Sequence, residues 1–141
     1  MAGWTTAAKI GHATAQFNLG NFYEQGIYGL TQSSTRAVEF YILAAEQGYV
    51  DAQYNLGLLY GNGTGVEQDV ECALKWFTFA AEQGDASAQF NTGVMYVKGE
   101  GVERSYTKAR KWLAKAAAQG HEGAIDAIKQ LDAAGVWIMY E

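Results

Sequence analysis

Apolar and polar residues follow a helical period along this chain, and the apolar stripes stop at glycines. Ala15, Leu19 and Tyr23 fall at i, i+4 and i+8, which is one face of a helix. Ala73, Trp76, Phe77, Ala80 and Ala81 trace a second, broader stripe of the same period. Ser33, Asp69 and Ser105 precede Ala37, Ala73 and Ala109 by four residues. They are predicted N-caps, because a side-chain oxygen there accepts from the N–H groups of the first turn. Gly26, Gly63 and Gly99 end helices of the first kind, and Gly48, Gly84 and Gly120 end those of the second.

Both stripes recur. AQFNLGNFYEQG from Ala15, AQYNLGLLYGNG from Ala52 and AQFNTGVMYVKG from Ala88 are copies of one block. AVEFYILAAEQG from Ala37, ALKWFTFAAEQG from Ala73 and ARKWLAKAAAQG from Ala109 are copies of another. The period is 36 residues, with one extra residue in the first copy. That residue belongs in a loop, since GIYGL (26–30) answers GTGV and GEGV. Ala7, Ala8, Gly11 and His12 match the end of the second block, and Ala124 to Gly135 match the first. The chain therefore parses as a single repeat domain over 1–141. A partial repeat at 1–11 precedes repeats at 12–48, 49–84 and 85–120, and a further partial repeat with a tail occupies 121–141.

Gly20, Gly57 and Gly93 stand inside the first helices, where each costs about 1 kcal/mol relative to Ala. A second backbone is expected to approach there, with the large ring at Phe40, Trp76 or Trp112 on the opposite side. Small against large, repeated in register, predicts an all-α fold: a right-handed α-solenoid of antiparallel helix pairs that stack on their neighbours.

Composition narrows the function. Of 141 residues, 49% are apolar and 13% aromatic, enough for a real core. There is no proline and there are 17 glycines, which fits helices punctuated by glycine. A net charge of -5 argues against nucleic acid or an anionic membrane as partner. The lone Cys72 leaves no intrachain disulfide and fits a reducing compartment. No apolar run approaches the roughly 20 residues of a membrane span. The start, MAGWTTAAKIG, lacks the plan of a signal peptide. The expected location is the cytoplasm, the alternative being a fragment of an exported protein.

Candidate chemistry mostly dissolves on alignment. GNGTGV (61–66) has the glycines of a phosphate loop but follows no strand and lacks the Lys-Ser/Thr ending, so it reads as a turn. Asn62-Gly63-Thr64 forms a glycosylation sequon, relevant only in a secretory setting. His12 and His121 share a turn position with Tyr49 and Asp85, which speaks against a metal or catalytic role. Cys72 aligns with Arg36 and Lys108, which speaks against a thiol nucleophile. Asn18, Asn55 and Asn91 recur in register and are expected to form a hydrogen-bond ladder between repeats. Nearly every special-looking polar residue has a counterpart one repeat away, whereas catalysis needs a unique constellation. No catalytic residue, cofactor site or metal site is assigned.

The pattern A-Q-x-N-x-G-x-x-Y-x-x-G, then G-V, then A-x-x-W-x-x-x-A-A-x-Q-G resembles the Sel-1-like repeat, a relative of the tetratricopeptide repeats. The resemblance covers residues 12 to 121 fully and the ends in part. It includes Tyr23, Tyr60, Tyr96, Trp76 and Trp112. Phe40 departs from the pattern, as do Thr92, Lys129 and Asp132. The resemblance implies a non-enzymatic adaptor or scaffold that binds a protein or peptide. Some exported, cysteine-rich members are associated with β-lactam binding, but this chain lacks their paired cysteines.

By analogy with tetratricopeptide arrays, the first helices line a concave face. That face takes Phe17, Asn21 and Glu24 from the first copy, Tyr54, Leu58 and Asn62 from the second, and Phe90, Val94 and Lys98 from the third. Asn21, Leu58 and Val94 are the preferred partner contacts, because they vary while their neighbours do not. The rings Phe17, Tyr54 and Phe90 are either anchors for a peptide or packing between helices. From His12 to Gly84 two basic residues stand against eight acidic ones; from Lys98 to Lys115 six stand against two. This asymmetry orients a partner, favours head-to-tail association, or marks a solvated face. The apolar ends, with Trp4, Trp137 and Met139, supply a second reading in which the array self-assembles. A third reading, an enzyme or binder of cell-wall or β-lactam compounds, rests on the resemblance alone.

Overall fold

The computed structural model describes residues 11–135, so Trp4, Trp137 and Met139 lie outside the described residues. Every regular element among them is a helix: α1 (Ala13–Gln25), α2 (Ser34–Glu46), α3 (Val50–Asn62), α4 (Val70–Glu82), α5 (Ala86–Lys98), α6 (Tyr106–Ala118) and α7 (Glu122–Ala133). The predicted all-α repeat fold is what forms. None of these helices is long and apolar enough to cross a membrane. The chain divides into two compact units, residues 1–76 and 77–141, with the boundary inside α4.

Capping follows the sequence signals. Ser33 Oγ accepts from Arg36 N at 3.2 Å, Asp69 Oδ1 from Cys72 N at 3.1 Å, and Ser105 Oγ from Lys108 N at 3.2 Å. Gly26, Gly63 and Gly99 take the left-handed conformation at the ends of α1, α3 and α5, with φ of 67°, 70° and 70°. Each long loop is then tied back in the same way. The N–H of the N-cap residue donates to the carbonyl of the repeated tyrosine: Ser33 to Tyr23, Asp69 to Tyr60 and Ser105 to Tyr96, at 2.8, 2.9 and 3.1 Å.

In the first unit, α1 packs on α2 and α2 on α3. The core is built from Ala37, Tyr41, Ala44, Ala52 and Leu56, all fully buried. The expected occupant of the glycine notch is corrected here. A Cβ on Gly20 would lie 2.6 Å from Tyr41 Cε1 and 3.2 Å from the Ala37 carbonyl oxygen. The ring in the notch is therefore Tyr41, one residue beyond Phe40, which instead stacks on Tyr23 at 5.7 Å. In the second unit the notch at Gly93 is filled by Leu113, whose Cγ would be 2.7 Å from an added Cβ, and not by Trp112. A one-residue step along α2 or α6 turns a side chain by about 100°, which separates the seam from the flank.

Glutamine links the repeats alongside asparagine, of which Asn55 in the second repeat bonds the Tyr41 hydroxyl of the first. Gln53 and Gln89 are buried, and their Nε2 groups donate to the Ala45 and Ala81 carbonyls at 3.1 and 3.2 Å. A glutamine in the first turn of one helix thus adds a second bond to a terminal carbonyl of the helix before it, beside the one from the Gly48 or Gly84 N–H. Gln119 Nε2 extends the network to Gln89 Oε1 and the Gly84 carbonyl, and Gln47 bonds Gln16 in the same manner. In α7 Ile125 stands at the glutamine position, so this link ends there.

Gly65, with φ of 74°, sits against the start of α2; a Cβ there would come within 2.5 Å of the Ser34 carbonyl oxygen. Gly29, the corresponding loop glycine of the first copy, has φ of 79° and nothing within 4 Å of the same position. In the last pair, Asp132 replaces the repeated tyrosine and meets Arg110 of α6 at 2.5 Å.

Candidate functional site

Sequence places the candidate contacts on the first helices of the pairs. In the first unit Phe17 is half-buried. Its ring packs 5.6 Å from Tyr41 and 5.0 Å from Tyr49, the N-cap residue of α3. Tyr54 is also half-buried, while Leu58 and Asn62 are exposed. Leu58 keeps 38% of its surface open although its neighbours Leu56 and Leu59 are buried. In the second unit Phe90 stacks on His121 at 4.7 Å, Val94 is half-buried, and Lys98 is exposed and lies 3.8 Å from Glu100. Phe17 and Phe90 thus lean on the residue that starts the next first helix.

Register separates Glu24 from the rest. It corresponds to Gly61 and Val97, whereas Asn62 and Lys98 correspond to Gln25. Glu24 and Asn21 are instead brought together by Tyr41. The Tyr41 hydroxyl lies 2.5 Å from Asn21 Oδ1 and 2.6 Å from Glu24 Oε1, and Asn55 hydrogen-bonds the same oxygen. A phenol has one proton for two acceptors. The charged carboxylate is the stronger claimant. The Asn21 amide is satisfied by turning its NH2 group towards the phenol oxygen, as the two ends of an amide are nearly isosteric. Burial, and then the bond to Glu24, push the Tyr41 hydroxyl far above its ordinary range, so it is a fixed donor.

This cluster is absent from the other copies, where Phe77 and Leu113 hold the place of Tyr41. It is an exception to the rule that nearly every special-looking polar residue has a counterpart one repeat away. The signal was present in the sequence as coincident polar departures within one copy, Glu24 against Gly61 and Val97, and Tyr41 against Phe77 and Leu113.

Other chemical candidates take structural roles. His121 Nδ1 accepts from Ala124 N at 3.1 Å and caps α7, as Asp85 caps α5. Burial and the neighbouring Asp69 raise the Cys72 thiol, which keeps it protonated and a poor nucleophile. Asp69 itself is lowered, chiefly by the bonds it accepts at Cys72 as N-cap of α4. Among the described residues no group of three His, Cys, Asp or Glu side chains gathers to hold a metal ion.

Three segments of the chain, residues 13–49, 50–85 and 86–121, match the Sel1 repeat. Among solved structures, a protective antigen present in uropathogenic Escherichia coli strains, displaying an SLR fold, superposes with a TM-score of 0.87 at 39% identity. That match covers 94% of this chain and 28% of the antigen. A Sel1 repeat protein from Oxalobacter formigenes gives a TM-score of 0.80 at 37% identity, over 84% of this chain and 49% of its own. The chain thus spans less than half the length of either relative. Helicobacter pylori cysteine rich protein B shares the fold, with a TM-score of 0.67 at 22% identity over 88% of this chain and 93% of its own. A comparison with curated proteins gave no match. The repeated notch glycines, the glutamine links and these three matched segments agree: the chain belongs to the Sel1 repeat family.

Proposed function

We propose that this chain is a non-catalytic interaction module that binds a peptide or protein segment on the first-helix face of its first unit, formed by α1 and α3. Sel1 repeat proteins generally mediate protein–protein interaction and are generally non-catalytic. The observation that carries the finer reading is the contrast at one register position. Asn21 and Leu58 hold equivalent places on α1 and α3, and there the chemistry changes freely, while the flanking Gln, Leu and Gly positions are taken up by packing. An exposed leucine on a helix offers an apolar contact to a peptide or helix laid against it.

The test uses a matched pair of surface leucines. Leu58 on α3 and Leu43 on α2 are 38% and 41% exposed, so replacing either with Glu disturbs the fold equally little. Peptides selected from a displayed library on the full chain are expected to lose at least tenfold in affinity with Leu58→Glu and to be unaffected by Leu43→Glu. Equal binding by both variants removes the first-helix face from consideration.

A further inference from the structure

We propose that Glu24, held in place by Tyr41, recognises a lysine or arginine side chain of a basic partner segment. The inference rests on the first-helix reading above and names the chemistry of the partner.

Position argues first. Glu24 lies in the last turn of α1, where the exposed carbonyl ends make the potential negative and a cation would be favoured. That turn contains no basic residue. A carboxylate there works against the helix, and the equivalent places carry Gly61 and Val97. Packing does not require it.

Fixation argues second. The half-buried carboxylate is not a swinging surface group, because the buried Tyr41 hydroxyl holds Oε1 at 2.6 Å. Among the described residues no basic group pairs with Glu24. Its second oxygen has no partner among the described residues and can take a donor from a bound segment. A carboxylate held in advance loses little freedom when it binds, so its bond to a guanidinium or ammonium group retains most of its strength.

Charge argues third. Residues 1–76 carry seven carboxylates and three cations, Lys9, Arg36 and Lys75. Arg36 lies over the Tyr23 ring at 5.7 Å and Lys75 over Trp76 at 5.0 Å. The unit therefore presents an uncompensated negative field, which draws in basic segments. Leu58, exposed on α3, supplies an apolar contact for another part of the partner segment.

Dodecapeptides displayed on phage and panned on the full chain supply the probe; enriched sequences are then synthesised and titrated. Enrichment in Lys or Arg is expected. Glu24→Gln, which keeps an acceptor for Tyr41, is expected to weaken such peptides about tenfold and to flatten their salt dependence. Replacing the peptide's arginine with citrulline should cost the same factor, and the two changes should not add. Tyr41 is a positioning residue. Tyr41→Phe should weaken the arginine peptide several-fold and leave the citrulline peptide unchanged, a selectivity that mere loosening of the fold would not produce. If Leu58→Glu abolishes binding while Glu24→Gln leaves affinity and salt dependence unchanged, cation recognition is refuted and the surface stands. If no peptide is enriched, or Leu58→Glu has no effect, the surface and the inference fail together.

Discussion

The pairs α1/α2 and α5/α6 share one backbone geometry and differ in what they put at the seam. In each, a mid-helix glycine lets the facing helix come so close that an added Cβ would be 3.2 Å from a carbonyl oxygen, that of Ala37 or of Ala109. The notch of the first pair then receives a tyrosine hydrogen-bonded to Asn21 and Glu24, and that of the other a leucine with Val94 and Val97 at the corresponding places. A difference runs the other way as well. Leu19 is buried in the first pair, while Thr92 takes its place in the other with a hydroxyl that finds no hydrogen-bond partner. Glycine and alanine set the approach of the helices, and within that approach the polarity of the seam is free to vary.

The notch glycines give the strongest way to break the comparison. Glycine to alanine ordinarily stabilises a helix interior by about 1 kcal/mol. Gly20→Ala should instead destabilise by about 3 kcal/mol, because the new methyl meets a rigid ring already held at its hydroxyl. Gly93→Ala should cost about half as much, since Leu113 can change rotamer. Chemical denaturation followed by circular dichroism measures both, and equal losses would mean that side-chain stiffness is irrelevant. Tyr41→Phe should cost about 1–2 kcal/mol by stranding the groups that share its hydroxyl.

The tyrosine also has a pH signature. Its phenol is raised in the folded chain, whereas the unfolded phenol ionises near its ordinary value of 10.0. The stability linked to it is fully present below pH 10 and is lost as pH rises further, because the unfolded state then binds fewer protons. Tyr41→Phe should reduce the alkaline slope in a pH series of melting temperatures, the remainder coming from Tyr60 and Cys72, which are also raised. Thr92→Val is the smallest change, with a gain of about 1 kcal/mol from removing the unpaired buried hydroxyl. No gain would indicate that the hydroxyl is satisfied in solution.

Helices, caps and repeat boundaries were legible because each rests on local spacing. Ser33 and Ser105 cap the helices they were expected to cap, and the loop glycines adopt positive φ where predicted. What was misread depended on rotation about a helix axis. Gln16 and Asn18 recur equally well in sequence, and so do the positions of Phe40 and Tyr41. Only the packing partner decides which of the two turns inward. Gln53 and Tyr41 lie one or two places from the repeated asparagine and aromatic positions, so spacing alone does not single them out. Among the candidate contacts, Leu58 is marked by its variation and exposure, whereas the Tyr41 anchor of Glu24 stands 17 residues away, beyond any local pattern.

The two loop glycines, Gly29 and Gly65, bear on where the chain accepts added length. Gly65 is pressed onto the Ser34 carbonyl, so a residue inserted there would push the loop into α2. At Gly29 there is open space, and the extra residue of the first copy is already accommodated beside it, with Tyr28 left-handed at φ 56° and 61% exposed. A fluorophore or epitope grafted after Gly29 would extend the loop into that open space while Tyr28 keeps its edge contact with Phe22 of α1 at 4.7 Å, giving a reporter on the first repeat.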